Sequence, residues 1–145
     1  MKIAVILIRS MINSDKKVRN TLMKLRLKQK FVCVLLNNTP EILGMLTRVK
    51  DYTAFGEISE KTLKEMILKR GKHPGDKKVN FAGDKLSNFI KGFLEGKGKL
   101  EDIELKNFFR LHPPRGGFKK STKLPGPKGI LGKNPKINEL IEKML

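Results

Sequence analysis

Two short apolar runs constrain the fold of this chain more than any other feature. Residues 3–8 and 31–36 are apolar throughout and are followed by polar residues. Runs of this length suit strands buried on both faces of a sheet better than short helices. We therefore predict two central strands and place the single cysteine, Cys33, in the sheet as an inert core residue.

Capping residues predict the helices between and after these strands. Thr39 and Pro40 give an N-cap and a proline at the first helical position, with Glu41 beside the positive end of the helix dipole. Ser14 and Ser59 are further N-cap candidates, and Gly71 is a stop signal. The predicted helices cover residues 15–28, 40–49, 60–70, 84–95 and, as a small amphipathic helix, 135–145. A third strand is predicted at 52–58 and a polar loop at 72–83.

The order of these elements predicts the fold class. Strand, helix, strand, helix, strand indicates an α+β two-layer sandwich with the helices on one face of the sheet. We divide the 145 residues into a core at 1–58, a helical insertion at 59–104 and a basic extension with a C-terminal helix at 105–145. Residues 121–135 are rich in Lys, Gly and Pro, which predicts an arm that a partner orders.

The charge of the chain predicts an anionic partner. It has 32 Lys and Arg against 14 Asp and Glu, a net charge of +18 and a pI near 10.2. The excess lies at the two ends: 11 basic and 4 acidic residues in 1–58, and 10 and 2 in 105–145, against 11 and 8 between them. Nucleic acid is the partner that such a balance favours.

The same features argue against other environments and partners. One cysteine allows no intramolecular disulfide and favours a reducing compartment. The apolar run at 3–8 is too short for a membrane span and lacks a signal-peptide cleavage site. We predict a soluble cytosolic protein that has no membrane partner.

The stretch 108–120 has the composition of a loop that binds phosphates. Pro113 and Pro114 stop helix and strand pairing, Gly116 and Gly117 allow positive φ, and arginines, lysines and phenylalanines surround them. Phe109 and Phe118 are expected either to present flat faces or to pack underneath. A solvated basic loop is the alternative interpretation. The predicted RNA-binding residues are Arg9, Lys16, Lys17, Arg19, Lys24, Arg26, Lys28, Arg48, Arg110, His112, Arg115, Gly116, Gly117, Phe118, Lys119, Lys120, Lys123 and Lys128.

Catalytic signals are weak by comparison. The two histidines, His73 and His112, have no paired carboxylates or nucleophile at a useful spacing, and no cysteine cluster predicts a metal site. We therefore predict no enzyme, no catalytic residue, no metal, no cofactor and no small-molecule substrate. A free RNA-binding regulatory module with the same fold is the alternative function.

Several strings in the sequence resemble one protein family from end to end. The most specific are Asn-Thr-Pro-Glu-Ile-Leu-Gly-Met-Leu at 38–46 and Phe-Arg-Leu-His-Pro-Pro-Arg-Gly-Gly-Phe at 109–118. Strings at 21–27, 49–58 and 136–141 support them. Together they resemble the long archaeal and eukaryotic form of large-subunit ribosomal protein thirty, which is eukaryotic protein seven.

This resemblance implies a fold, a location and partners. It implies a ferredoxin-like core, a place in the large ribosomal subunit, and contacts with the large-subunit ribosomal RNA, the 5S ribosomal RNA region and neighbouring ribosomal proteins. It also implies no catalysis. The chain begins directly at its first strand, without the long basic N-terminal extension of eukaryotic members, which favours an archaeal source.

Overall fold

One six-stranded sheet organises the computed structural model, which describes residues 1–80 and 83–145. The strands are β1 Lys2–Leu7, β2 Val32–Asn37, β3 Thr53–Glu57, β4 Phe108–Arg110, β5 Ser121–Pro125 and β6 Gly129–Lys133. The helices are α1 Lys16–Lys24, α2 Pro40–Val49, α3 Glu60–Arg70, α4 Gly83–Leu94 and α5 Ile137–Met144, with a short 3₁₀ turn at Leu100–Ile103. Part of the predicted loop at 72–83, namely residues 81 and 82, lies outside the described residues.

Strand β1 is the centre of the sheet, whose order is β4-β2-β1-β3-β6-β5. It pairs antiparallel with β2 on one side and β3 on the other, so that Val5 lies between Val34 and Phe55. Strand β4 extends the sheet antiparallel to β2, and β6 extends it parallel to β3. The three predicted strands are confirmed, each within about one residue of its predicted ends.

Alternation along β1 creates two cores, one on each face of the sheet. Ile3, Val5 and Leu7 join the apolar residues of α1 and α2, whereas Ala4 and Ile6 join those of α3, α4 and α5. The predicted α+β class is confirmed, but the prediction that the helices lie on one face of the sheet is wrong. Helices α1 and α2 cover one face. Helices α3–α5 cover the opposite face, which is why β1 is buried along its whole length.

Two helices begin where the sequence predicts. The Thr39 hydroxyl accepts a hydrogen bond from the Ile42 amide at 3.4 Å, and the Ser59 hydroxyl accepts one from the Thr62 amide at 3.3 Å. Helix α3 ends before Gly71, where a Cβ would lie 2.3 Å from the Ile67 carbonyl oxygen. Only glycine fits there.

Helix α1 differs from the predicted 15–28 at both ends. Asp15 occupies the N-cap position, and the Ser14 hydroxyl donates instead to the Met11 carbonyl. The helix ends at Lys24 because Arg26 adopts φ 62° and the Leu27 amide returns to the Leu22 carbonyl at 2.9 Å. This Schellman-type ending buries both leucines.

The C-terminal segment is more structured than predicted. The prediction of an arm without structure of its own is wrong for two segments. Ser121–Pro125 forms β5 and pairs with β6. Gly129–Lys133 forms β6 beside β3 and buries Ile130 and Leu131. Composition over fifteen residues hides this five-residue run, and its pairing edge lies far away in sequence. Helix α5 buries Ile137, Ile141 and Met144.

Candidate nucleic-acid interface

The Pro-Pro-Arg-Gly-Gly loop is fixed to the end of α5 through its backbone. The His112 amide donates to the Met144 carbonyl, and the Arg115 amide donates to the Lys143 carbonyl, both at 2.9 Å. The last carbonyls of a helix have no partner within the helix, so these bonds satisfy both elements. The side chains of His112 and Arg115 remain exposed. The loop is therefore anchored by its main chain and open at its side chains.

The two glycines of this loop are needed for their backbone conformation. Gly116 and Gly117 adopt φ +77° and +75°, and the Gly117 amide closes a turn onto the Pro114 carbonyl at 3.0 Å. A Cβ on either glycine would meet nothing within 4 Å. The space above the turn is thus open, and a ligand can approach the main chain closely.

Strand β4 divides its side chains between the core and the surface. Phe109 is 1% exposed and lies in the core, opposite Cys33. Phe108 and Arg110 point the other way, because alternate residues of a strand face opposite sides. The Phe108 ring is half-buried, and both the Lys106 ammonium and the Arg110 guanidinium lie 5.9 Å from its centroid. The free edge of the sheet therefore presents an aromatic ring between two cations.

A first basic cleft, of about 540 Å³, lies between β4 and the end of α1. Arg26 and Lys28 line it from the turn after α1, and Phe108 and Arg110 line it from β4. The early end of α1 creates this arrangement, since the left-handed turn at Arg26 carries the following residues back toward the sheet. Three predicted RNA-binding residues meet here.

A second basic cleft, of about 420 Å³, lies on the other side of the same two β4 residues. Its charged lining consists of Lys69, Arg70, Lys72, Asp76, Lys78, Lys106 and Arg110, together with His112. Asp76 is the one carboxylate in this lining, and it pairs with Lys106 at 2.7 Å and with Lys72 at 3.9 Å. The hydrogen bond from Lys106, followed by the charges of Lys106 and Lys72, lowers the pKa of Asp76. The cleft stays strongly positive.

A groove of about 460 Å³ follows the far side of the glycine loop. Gly117, Phe118, Lys119 and Lys120 line one wall, and the opposite wall includes Lys133, Lys136 and Lys143. The Phe118 ring packs against Phe31, with 6.2 Å between centroids, so it is only partly available to a ligand.

The remaining predicted residues lie outside these three hollows. Arg9 rests over the Tyr52 ring at 5.4 Å and donates to the Asp51 carbonyl at 3.5 Å. Lys24 lines a separate hollow with Lys2 and Lys99. The others are exposed on α1, at the end of α2, and on β5 and its following turn: Lys16, Lys17, Arg19, Arg48, Lys123 and Lys128.

Sequence reasoning missed the lysines of the insertion and of the C-terminal segment. Averaging the charge over 59–104 concealed residues 69–78, where five basic residues accompany a single acid, Asp76. A shorter charge window would have found them. It would not have found Phe108, whose availability depends on Phe109 being the residue that enters the core.

The chain's cysteine is held in its protonated form. Burial raises the pKa of the Cys33 thiol to about 12, which keeps it protonated at neutral pH. Across residues 1–80 and 83–145 no group of three or more His, Cys, Asp or Glu side chains is placed to hold a metal. Within the same ranges no helix is both long and apolar enough to span a bilayer.

Comparison with known proteins gives a consistent result. A family model described as Ribosomal protein L30p/L7e matches residues 3–53. The chain is 43% identical to the large ribosomal subunit protein uL30 of Staphylothermus marinus, with 98% of this chain and 97% of the relative covered. It is 39% identical to the protein of the same name from Archaeoglobus fulgidus, with 97% and 98% covered, and 38% identical to that of Methanoregula boonei, with the same coverage.

Proposed function

The chain belongs to the family of ribosomal proteins L30p/L7e, and we propose that it is a structural constituent of the large ribosomal subunit that binds ribosomal RNA. Relatives across nearly the whole chain are named as large-subunit proteins, and the family is structural rather than enzymatic. The protein is accordingly placed in the cytoplasmic ribosome of an archaeal-type translation system.

One observation carries the RNA-binding part of this proposal. Three basic hollows converge on β4 and the loop that follows it, and that loop is held in place by α5. Polyanion binding requires many cations on one surface with few carboxylates among them. All the predicted contact residues are exposed apart from Phe118, which is partly so. To them the proposal adds Lys69, Lys72, Lys78, Lys106, Lys133, Lys136 and Lys143.

The three-part division of the chain stays a proposal about roles. In it, residues 1–58 supply the scaffold and the basic face of α1, and residues 105–145 supply most of the RNA contacts. Residues 59–104 supply one wall of the second cleft through Lys69, Lys72 and Lys78. The division concerns function only, since β4, β6 and α5 all pack on the scaffold.

The proposal of specific RNA and protein partners rests on family membership. We propose contacts with the large-subunit ribosomal RNA, with the 5S ribosomal RNA region and with neighbouring ribosomal proteins. Exposed apolar side chains such as Ile12 and Leu68, at 76% and 48% exposure, offer surface to such neighbours.

Co-sedimentation tests the proposal against a free RNA-binding regulator. Tagged protein expressed in an archaeal host is expected to remain with large subunits after a high-salt wash, since a structural constituent is held by many contacts. Recovery of the protein only in the soluble fraction would favour the regulator and contradict the proposal. Purified protein is also expected to bind ribosomal RNA with an affinity that falls steeply as salt rises.

A further inference from the structure

The Phe108 ring differs from the other aromatic rings of its segment. Phe109 is closed into the core at 1% exposure, and Phe118 packs against Phe31. Phe108 is half-buried and packs in part against the core beneath α1 and α2, but it lies on β4, the end strand in the sheet order. It lines both the 540 Å³ and the 420 Å³ basic clefts. Within the described part of the chain, it is the one phenylalanine that the linings of these two clefts share.

The surroundings of this ring suit one kind of ligand. The Lys106 ammonium and the Arg110 guanidinium, two residues before and after Phe108 in the sequence, each lie within 6 Å of the ring centroid. Further basic side chains line each cleft beyond them. An apolar flat surface between two positive clefts matches a group that is aromatic in its middle and anionic on both sides. A nucleotide within a single strand has this pattern.

We propose that Phe108 is a stacking platform for an unpaired RNA base, and that the flanking phosphates occupy the two basic clefts. The inference rests on the proposed RNA-binding function and makes it more specific. Bases inside a duplex are stacked on one another and closed to a side chain, whereas bases in loops and bulges are free to splay out. The β4 edge therefore selects for a single-stranded element within a folded RNA.

Asp76 sets how the second cleft receives its phosphate. Its carboxylate accepts a hydrogen bond from the Lys106 ammonium at 2.7 Å. The carboxylate oxygen thus occupies the position beside Lys106 that a phosphate oxygen would take. Binding of the strand replaces this exposed ion pair by a lysine–phosphate contact. Until RNA binds, this ion pair competes with phosphate for Lys106.

Tryptophan fluorescence offers a direct test, because the chain contains no tryptophan. Phe108→Trp creates a single reporter at the proposed platform. An unstructured oligouridylate is expected to quench and shift its emission, as base stacking requires. Phe89→Trp is the matched control, since Phe89 is also half-buried but stacks on Phe93 in α4. Equal responses from the two reporters would overturn the inference.

Affinity gives an independent readout. Phe108→Leu retains an apolar side chain, and its melting temperature is measured first so that binding is compared between folded proteins. Loss of one base stack is expected to weaken oligouridylate binding about fivefold to 150-fold. Binding to a blunt RNA duplex with the same number of phosphates is expected to stay unchanged, and so is the slope of log affinity against log salt.

The two proposals fail in different ways. If the unmodified protein binds neither probe, the proposed RNA-binding function fails. If it binds both while Phe108→Leu binds both equally well, RNA binding stands and the stacking platform is wrong. A Phe108→Leu loss that is the same for both probes also overturns the platform, because the ring would then act only by shaping the surface.

Discussion

The two edges of the sheet carry similar charge but differ in how they use their strands. At the β4 edge three residues suffice: Phe109 enters the core, while the half-buried Phe108 and the exposed Arg110 lie on the other face between basic clefts. At the opposite edge β6 is buried through Leu131 and needs the exposed strand β5 beside it. At one edge a single short strand both packs into the core and exposes side chains to a ligand. At the other edge β6 packs into the core and β5 carries the exposed side chains.

This difference shows how a very basic chain protects its sheet edges. Unpaired edges invite pairing with other chains, and short strands, lysines and prolines discourage it. Strand β4 is short and carries Arg110, whereas β5 carries Lys123 and ends at Pro125. The cations that protect each edge are the same ones that the proposed function assigns to RNA. Protection of the edges and affinity for a polyanion then come from one set of side chains.

The largest effect is expected at the core side of β4. Phe109→Ala removes a ring that is 1% exposed and leaves a cavity, which costs about 3 to 5 kcal/mol of unfolding free energy. Chemical denaturation measures this loss. Phe108→Ala is expected to cost clearly less, because that ring is only half-buried. Equal losses of unfolding free energy in the two variants would contradict the placement of Phe108 and Phe109 on opposite faces of β4.

The second prediction concerns the other edge. Leu131→Ala is expected to cost about 2 to 5 kcal/mol of stability, because the side chain is 1% exposed. Leu124→Ala on β5 is the matched control: Leu124 is 48% exposed, so its truncation is expected to stay within about 0.5 kcal/mol. Thermal melts of both variants test whether β6 contributes side chains to the core while β5 only pairs with its edge. A Leu124 variant that melts as early as the Leu131 variant contradicts this division.

A third prediction separates binding from folding at the β4 edge. Arg110→Gln with Arg115→Gln is expected to weaken RNA binding by about 1.5 to 3 kcal/mol per lost charge-assisted contact. Melting temperature is expected to change little, because both side chains are exposed. The slope of log affinity against log salt should fall by about one for each arginine.

A double change on α4 controls for net charge. Lys85→Gln with Lys91→Gln removes the same two charges from exposed positions outside the three basic hollows. It is expected to affect RNA binding less than the arginine pair does. Equal losses would mean that net charge, and not the placement of cations along β4, determines affinity.

The smallest effect is expected at Asp76. Its lowered pKa means that the ion pair stabilises the fold above the ordinary pKa of aspartate, and that this contribution is lost as pH falls through the lowered value. Asp76→Asn releases Lys106 and Lys72, so RNA binding should strengthen slightly and its salt slope should steepen by at most about 0.9 for each released lysine. Glu95→Gln, which breaks the exposed pair with Lys97, is the control and should leave binding unchanged. Weaker binding by the Asp76 variant would show that the carboxylate organises the cleft.

Sequence signals were sufficient wherever the cause of an element is local. Helix α3 occupies the predicted residues because a serine cap and a glycine stop lie next to it. The sequence does not predict the end of α1, because Arg26 takes a left-handed conformation that glycine usually takes. The hydrogen bond from the Leu27 amide to the Leu22 carbonyl stabilises Arg26 in this conformation. That contact belongs to the packed structure and leaves no turn residue in the sequence.

The candidate site was predictable in its residue types and not in its arrangement. The glycine turn and the exposed arginines are predicted correctly, whereas the loop predicted at 108–120 begins with the strand β4. Contacts of these residues with RNA stay predictions. The clefts bring Arg26 and Lys69 to either side of β4, although they are distant in sequence. Strand pairing and the docking of α3 bring these segments together, and both depend on contacts that no local pattern records.

The connectivity of the strands has a consequence for the order in which the chain folds. Its centre, β1 between β2 and β3, comes entirely from the first part of the chain, whereas β4 and β6 return from the last part to join opposite edges. Contacts between distant segments form slowly, because the loop between them must first be closed. We expect pulsed hydrogen exchange to show early amide protection in β1 and later protection in β6. The protein would then complete its scaffold first, and the surface that is proposed to meet RNA would form last.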